Sequence, residues 1–138
     1  MPAIIHYYNL TYVEIFVFEK YLIAQVKEGS LLKPENNEQL KELIAKHYVD
    51  KNFVYISNRA FDYNVSPVTY LETSKIINLI GICVVTKTVS CRRKANFESK
   101  FYSKDFKVAD NLPDAIHWAV KLVDQADECD NSAFAKAT

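Results

Sequence analysis

The chain has 138 residues, close to the commonest single-domain size of about 100–150, so it can bury one proper hydrophobic core. Its 17 Lys and Arg cancel its 17 Asp and Glu, which removes the global field that draws basic proteins onto nucleic acid or anionic membranes. Aromatic residues make up 13%, ample core material, and only 2 Gly and 4 Pro are present, so few long irregular loops are expected.

The first part reads as strands. Residues 3–9 are β-branched and aromatic, and residues 12–18 place Val13, Ile15 and Val17 on one face and Tyr12, Glu14, Phe16 and Phe18 on the other. A tight connection at Glu19 and Lys20 leads to residues 21–27, where Leu22, Ala24 and Val26 alternate with Ile23 and Gln25. A hairpin or meander follows from that period of two. Gly29, Ser30 and Pro34 break the pattern. Leu40, Leu43, Ile44, His47 and Tyr48 then fall at helical spacing over residues 37–48, with His47 read as a packed histidine.

Residues 53–57 form a short, nearly continuous apolar run, the kind buried on both faces of a parallel sheet. Residues 58–65 read as a polar loop. Ser66 before Pro67 is a favoured helix start, and the inward face of that helix is expected to carry Tyr70, Leu71, Ser74 and Ile77. Residues 79–85 are the most apolar strand and so are expected at the centre. Residues 88–103 form a third helix, with Phe97 and Phe101 one turn apart as core residues. A brief strand at 106–108 precedes a capping box, Asn111 to Asp114, and a last helix through about Glu128 that buries Leu112, Ala115, Ala119, Leu122 and Val123. Residues 1–128 are thus expected to form one domain, with 129–138 a disordered tail.

The fold class implied is α/β, a mixed, largely parallel sheet of about five to six strands preceded by a β-hairpin, with about four helices. The longest apolar run, residues 76–85, is broken by Asn78 and is far short of the roughly 20 residues of a membrane helix, so no membrane insertion is expected. The opening residues lack the features of a secretory signal, and the 3 cysteines form no pairing pattern. A cytoplasmic location with reduced thiols is expected.

Catalytic templates fail in turn. The sequence contains no G-x-S-x-G elbow, phosphate-binding P-loop, G-x-G-x-x-G fingerprint or H-E-x-x-H helix. His6, His47 and His117 are far apart in sequence and none stands at metal-ligand spacing from a cysteine. No enzyme activity, cofactor or metal is implied.

Two surfaces remain. Parallel strands deliver their loops to one rim, where ligands of open α/β folds usually bind. Lys27 and Glu28, then Asn58, Arg59, Asp62 and Tyr63 with Ser66, then Lys87 should converge there. These groups suit an anionic or polar ligand, unless Arg59 simply pairs with Asp62 or Glu28 and pins the loop. The second surface is the basic third helix, where Arg92, Arg93 and Lys94 suit an acidic partner or a phosphate group, unless the run is only a solvated face.

Certain segments also carry a resemblance. Lys27, Glu28 and Gly29 end a strand before the first helix; Tyr55, Ile56, Ser57, Asn58 and Arg59 are followed by Tyr63, Val65 and Pro67; and Asn111, Leu112, Pro113, Asp114 and Ala115 lead to Trp118. With the order of elements, these resemble small bacterial SpoIIAA-like, or STAS/SEC14-like, proteins, many from Bacteroidetes, over roughly residues 3–125. That family has no established general function. Anti-sigma-factor antagonists of this fold carry a phosphorylatable serine in an Asp-Ser-Ser/Thr-Gly-like motif. Here the matching residues, Asn64, Val65, Ser66, Pro67 and Val68, lack the acid and the glycine. Ser66 stands at that place either as a phosphorylation site, where phosphate would meet the positive end of a helix, or as a plain N-cap. The resemblance implies a non-catalytic regulatory or interaction module that binds a bacterial protein or a second copy of itself. The SEC14-like members suggest a rival, a carrier of a small apolar ligand or lipid. Local nucleic-acid or phosphate contact through the basic helix ranks third, and nucleic acid is not the expected partner.

Overall fold

The computed structural model describes residues 4–59 and 64–137. Three strands open the chain: β1 (His6–Asn9), β2 (Val13–Val17) and β3 (Tyr21–Val26). They pair in sequence order as an antiparallel meander, in which Ile15 lies opposite Tyr8 and Ala24. The alternation read in the sequence holds, since Val13, Ile15 and Val17 are all buried. A turn closed by Phe18 N–H donating to the Tyr21 carbonyl (2.9 Å) joins β2 to β3.

After β3 the chain turns at Gly29, whose φ of +77° suits a residue without a side chain. A two-residue strand β4 (Leu31–Leu32) and a 3-10 turn (Pro34–Asn36) lead into α1 (Asn37–His47). Then come β5 (Phe53–Asn58), β6 (Asn64–Val65), α2 (Pro67–Thr73), β7 (Leu79–Val85), α3 (Val89–Glu98) with a 3-10 turn (Ser99–Phe101), β8 (Asp105–Ala109) and α4 (Leu112–Ala137). The main sheet has six strands in the order β1-β2-β3-β5-β7-β8, and from β3 onward its neighbours run parallel. This is the mixed, largely parallel α/β architecture with four helices that the sequence implies.

Side-chain alternation across the strands divides the core. On one face Leu40, Leu43 and Ile44 of α1 pack with Ile15, Leu22 and Ala24, and further along Tyr70 of α2 and Ala95 of α3 meet Ile82 and Val84. On the other face α4 lays Ala115, Ala119 and Val123 over Val54, Ile56 and Cys83. Gly81 lets that helix close in, because a Cβ there would stand 2.7 Å from Leu122 Cδ2 and 3.1 Å from the Trp118 ring. Tyr48, just past α1, stacks on Phe53 at 4.2 Å and donates to the carbonyls of Phe18 (2.7 Å) and Tyr21 (2.8 Å). It thereby pins the end of α1 to the β2–β3 turn.

Four expectations need correction. Residues 64 and 65 are not loop but β6, which pairs with β4 in parallel as a separate ribbon. The helix after Pro67 ends at Thr73, and its inward residues are Thr69, Tyr70 and Thr73, whereas Leu71 and Ile77 are exposed (50% and 91%). Its neighbours are polar: Thr69 Oγ1 donates to the Leu32 carbonyl at 3.0 Å, and Asn37 Nδ2 donates to Thr73 Oγ1 at 3.2 Å. Phe97 is not core but 55% exposed, because α3 stops at Glu98 and the chain tightens into a 3-10 turn before Tyr102 takes the buried place. The last helix runs past Glu128 to Ala137. Its start is as read, with Asp114 N–H donating to Asn111 Oδ1 at 2.8 Å.

Candidate functional site

The carboxyl ends of β3, β5, β7 and β8 lie side by side, and each hands the chain to residues singled out by their chemistry. β3 hands the chain to Lys27, whose ammonium donates to the Leu10 carbonyl (2.8 Å) and to Asn9 Oδ1 (3.1 Å). Lys27 therefore ties the meander together, and Glu28 beside it is exposed. β5 ends at Asn58, which donates to Gln25 Oε1 at 3.3 Å. Lys87, after β7, is exposed. Ser66 is half-buried beside β4, its N–H donating to the Leu32 carbonyl at 2.9 Å, and its side chain makes no cap hydrogen bond. Asp62 and Tyr63 lie outside the described residues.

Arg59 takes a different course. Its N–H donates to the Val85 carbonyl at 2.9 Å, and its side chain is wholly withdrawn from solvent beneath α3. There Nη2 lies 2.8 Å from Glu98 Oε1, and the Tyr70 hydroxyl donates to the same oxygen at 2.8 Å. Among the described residues it ion-pairs with Glu98, from α3, and not with Glu28. An ion pair this buried is retained only where hydrogen bonds compensate lost hydration, as Tyr70 does for the carboxylate. The sequence marks Tyr70 only as an inward residue of its helix and does not mark Glu98 at all, since nothing local signals a pairing across 39 residues. One sign was available: Glu98 is the sole acid on a helix of basic residues. Close by, just past β7, Thr86 Oγ1 is buried with no hydrogen-bond partner among the described residues.

That pairing shapes the outer surface of α3. With its only acid turned inward, the helix presents Val89, Arg93 and Phe97 at four-residue steps along one exposed stripe. Lys100 continues it, its ammonium 5.7 Å from the Phe97 ring centroid, and Phe101 meets Phe97 edge-on at 5.4 Å. The rest of the basic patch is engaged: Arg92 pairs with Asp110, and Lys94 is half-buried and has interactions of its own.

Two small pockets lie under the sheet among the described residues. A cavity of about 50 Å³ lies between α1, α2 and the sheet, lined by residues that include Leu32, Tyr55, Val65 and Ile82, and about 30 Å³ more lies beside it toward Tyr12 and Ile15. Sites for drug-sized molecules occupy about 300–1,000 Å³. Two larger clefts, each about 260 Å³, are open grooves, one between β1 and α1 and one beside Trp118 on α4. Among the described residues no three His, Cys, Asp or Glu side chains gather as a metal site, and no helix is long and apolar enough to cross a membrane.

A three-stranded meander feeding parallel strand–helix units, with one helix alone on the far face, is a SpoIIAA-like fold. A solved structure shares it: an uncharacterised protein of the DUF3478 family with a SpoIIAA-like fold from Shewanella loihica PV-4. That chain is 17% identical, the match covers 81% of this chain and 97% of the other, and the TM-score is 0.54. At such identity the likeness concerns the fold. No protein-family model and no curated protein sequence matches the chain.

Proposed function

We propose that this SpoIIAA-like domain is a non-catalytic interaction module of the bacterial cytoplasm that docks an acidic, amphipathic segment of a protein partner along the outer stripe of α3. The observation that carries this reading is the inward turn of Glu98 onto Arg59, which leaves the outer stripe both basic and apolar. Val89 and Phe97 are 67% and 55% exposed, flanked by Arg93 and Lys100. Exposed aromatic and arginine side chains are the residues most often found as binding hot spots. A partner with carboxylates spaced between apolar side chains complements that stripe, and long-range attraction speeds its docking. The two pockets under the sheet, about 50 and 30 Å³, are each too small for a lipid chain, which favours this reading over a carrier. The rim, with Glu28 and Lys87 exposed, borders the same end of the sheet and adds to the contact.

The test is affinity capture from extracts of the encoding organism, comparing the wild-type chain with an Arg93→Glu, Phe97→Asp double variant. A stoichiometric protein complex that forms with the wild type, weakens as salt rises and disappears with the variant is the expected result. A complex held equally well by the variant would remove α3 as the docking surface.

A further inference from the structure

We propose that His6, Tyr8 and His47 form a binding site for a divalent late transition-metal ion, with Cu²⁺ held most tightly. His6 and Tyr8 stand two apart on β1 and so project from the same face of the strand. His47, the last residue of α1, comes against them from the helix side. The Tyr8 hydroxyl and His47 Nε2 are 2.6 Å apart. The His6 ring centroid lies 4.3 Å from that of Tyr8 and 5.5 Å from that of His47.

Coordination geometry makes these distances informative. Ligand atoms each about 2.0–2.1 Å from one metal, at angles between square-planar and tetrahedral, are about 2.9–3.4 Å from each other. The hydroxyl and Nε2 reach that spacing by opening a few tenths of an ångström. Two imidazoles on one ion have ring centroids about 4.5–5.2 Å apart by the same geometry, so His6 and His47 need only a small approach.

The donor set is two imidazole nitrogens and a phenol oxygen. Imidazole suits Zn²⁺, Ni²⁺ and Cu²⁺, and the affinity order among divalent ions peaks at Cu²⁺. His6 is exposed, and Tyr8 and His47 are half-buried, so the ion enters from solvent and retains room for water. Tyr8 also borders the open cleft lined by Glu42 and Lys46, which places one carboxylate and one ammonium nearby. Tyr8 and His47 bond to each other, which already fastens the edge strand to α1. The His6 side chain makes no hydrogen bond among the described residues and packs its ring against Tyr8 and His47, so its nitrogens are not committed to the bond that joins the other two.

The test titrates Cu²⁺, with Ni²⁺ and Zn²⁺ as companions, into the intact chain by calorimetry and visible spectroscopy. One equivalent should bind, and His6→Ala and His47→Ala should each weaken it by about 10- to 100-fold or more, at least the loss seen when an outer partner of a metal ligand is removed. Tyr8→Phe should abolish a tyrosinate-to-copper charge-transfer band while two-nitrogen coordination persists, and His117→Ala should change nothing. Undiminished binding in His6→Ala would overturn the site, and so would loss of binding in His117→Ala. His6→Ala removes an exposed side chain with no hydrogen bond, so it decides the matter even if the other variants fold poorly.

Discussion

Glu98 of α3 and Arg59 at the end of β5 lie 2.8 Å apart with side chains 8% and 0% exposed, the one ion pair so deeply buried among the described residues. The pair fixes which way α3 is turned and therefore which residues face solvent. Glu98→Ala removes the acceptor of both Arg59 and the Tyr70 hydroxyl, leaving a buried cation poorly compensated, and should cost about 3–5 kcal/mol. Urea denaturation reads this as a lower midpoint. The double variant Arg59→Met, Glu98→Leu should recover most of the loss, since apolar pairs of similar volume often replace buried ion pairs at little cost.

High pH should unfold the protein through two phenols. Burial raises the hydroxyls of Tyr48 and Tyr102 well above the usual tyrosine range; Tyr48 also donates to Phe18 and Tyr21, and Tyr102 to Leu79. An acid raised in the folded state stabilises the fold fully below its unfolded value near 10 and loses that contribution as pH rises toward the folded value. Stability should thus be insensitive to these groups through pH 9 and fall above about 10, each contributing up to about 1.4 kcal/mol per pH unit. Absorbance titration should find both phenols ionising only with unfolding, and Tyr102→Phe should make the fall in stability above pH 10 shallower.

Gly81→Ala should destabilise by overpacking. The new methyl meets Leu122 Cδ2 and the Trp118 ring inside ordinary contact distance, so the Leu122 side chain must turn away and the indole must give. A cost of about 1–3 kcal/mol is expected. Trp118 fluorescence should move with it, because the indole rests on that spot.

Thiol labelling should separate the cysteines by burial. Cys83 lies wholly inside the sheet–α4 core, and burial pushes its thiol up to about 12, whereas Cys91 is half-buried and Cys129 exposed. Since the thiolate is the reacting form, two thiols should label in the native protein and the third only on unfolding. Rapid native labelling of all three would contradict the packing of β7.

The sequence carried the long elements because their burial is periodic. β2 alternates, α1 repeats at helical spacing, and β7 is apolar throughout because helices cover both of its faces. The errors arose where contacts are polar or small. Two phenylalanines one turn apart read as a buried face, yet α3 packs through Ala95 and Glu98 and turns Phe97 outward. Helical spacing predicts Leu71 and Ile77 beside Tyr70 on the inner face of α2, but threonines bonded to β4 and α1 lie there with Tyr70. Of the candidate site, the basic helix and the rim positions were legible as residue types. Which charge turns inward was not, because it depends on Arg59 meeting Glu98 across the sheet. His6 and His47, distant in sequence, become neighbours only because α1 returns over the meander.

The β4–β6 ribbon consists of two residues on each side, Leu31 with Asn64 and Leu32 with Val65. So short a ladder should open locally at a free energy far below that of the six-stranded sheet. The amides of Asn64 and Ser66 should exchange with deuterated solvent long before those of Ile56 and Val84, and at rates insensitive to global stability. Leu32 and Val65 also line the 50 Å³ cavity. Fraying of the ribbon would therefore widen one wall of that space without disturbing the six-stranded sheet behind it.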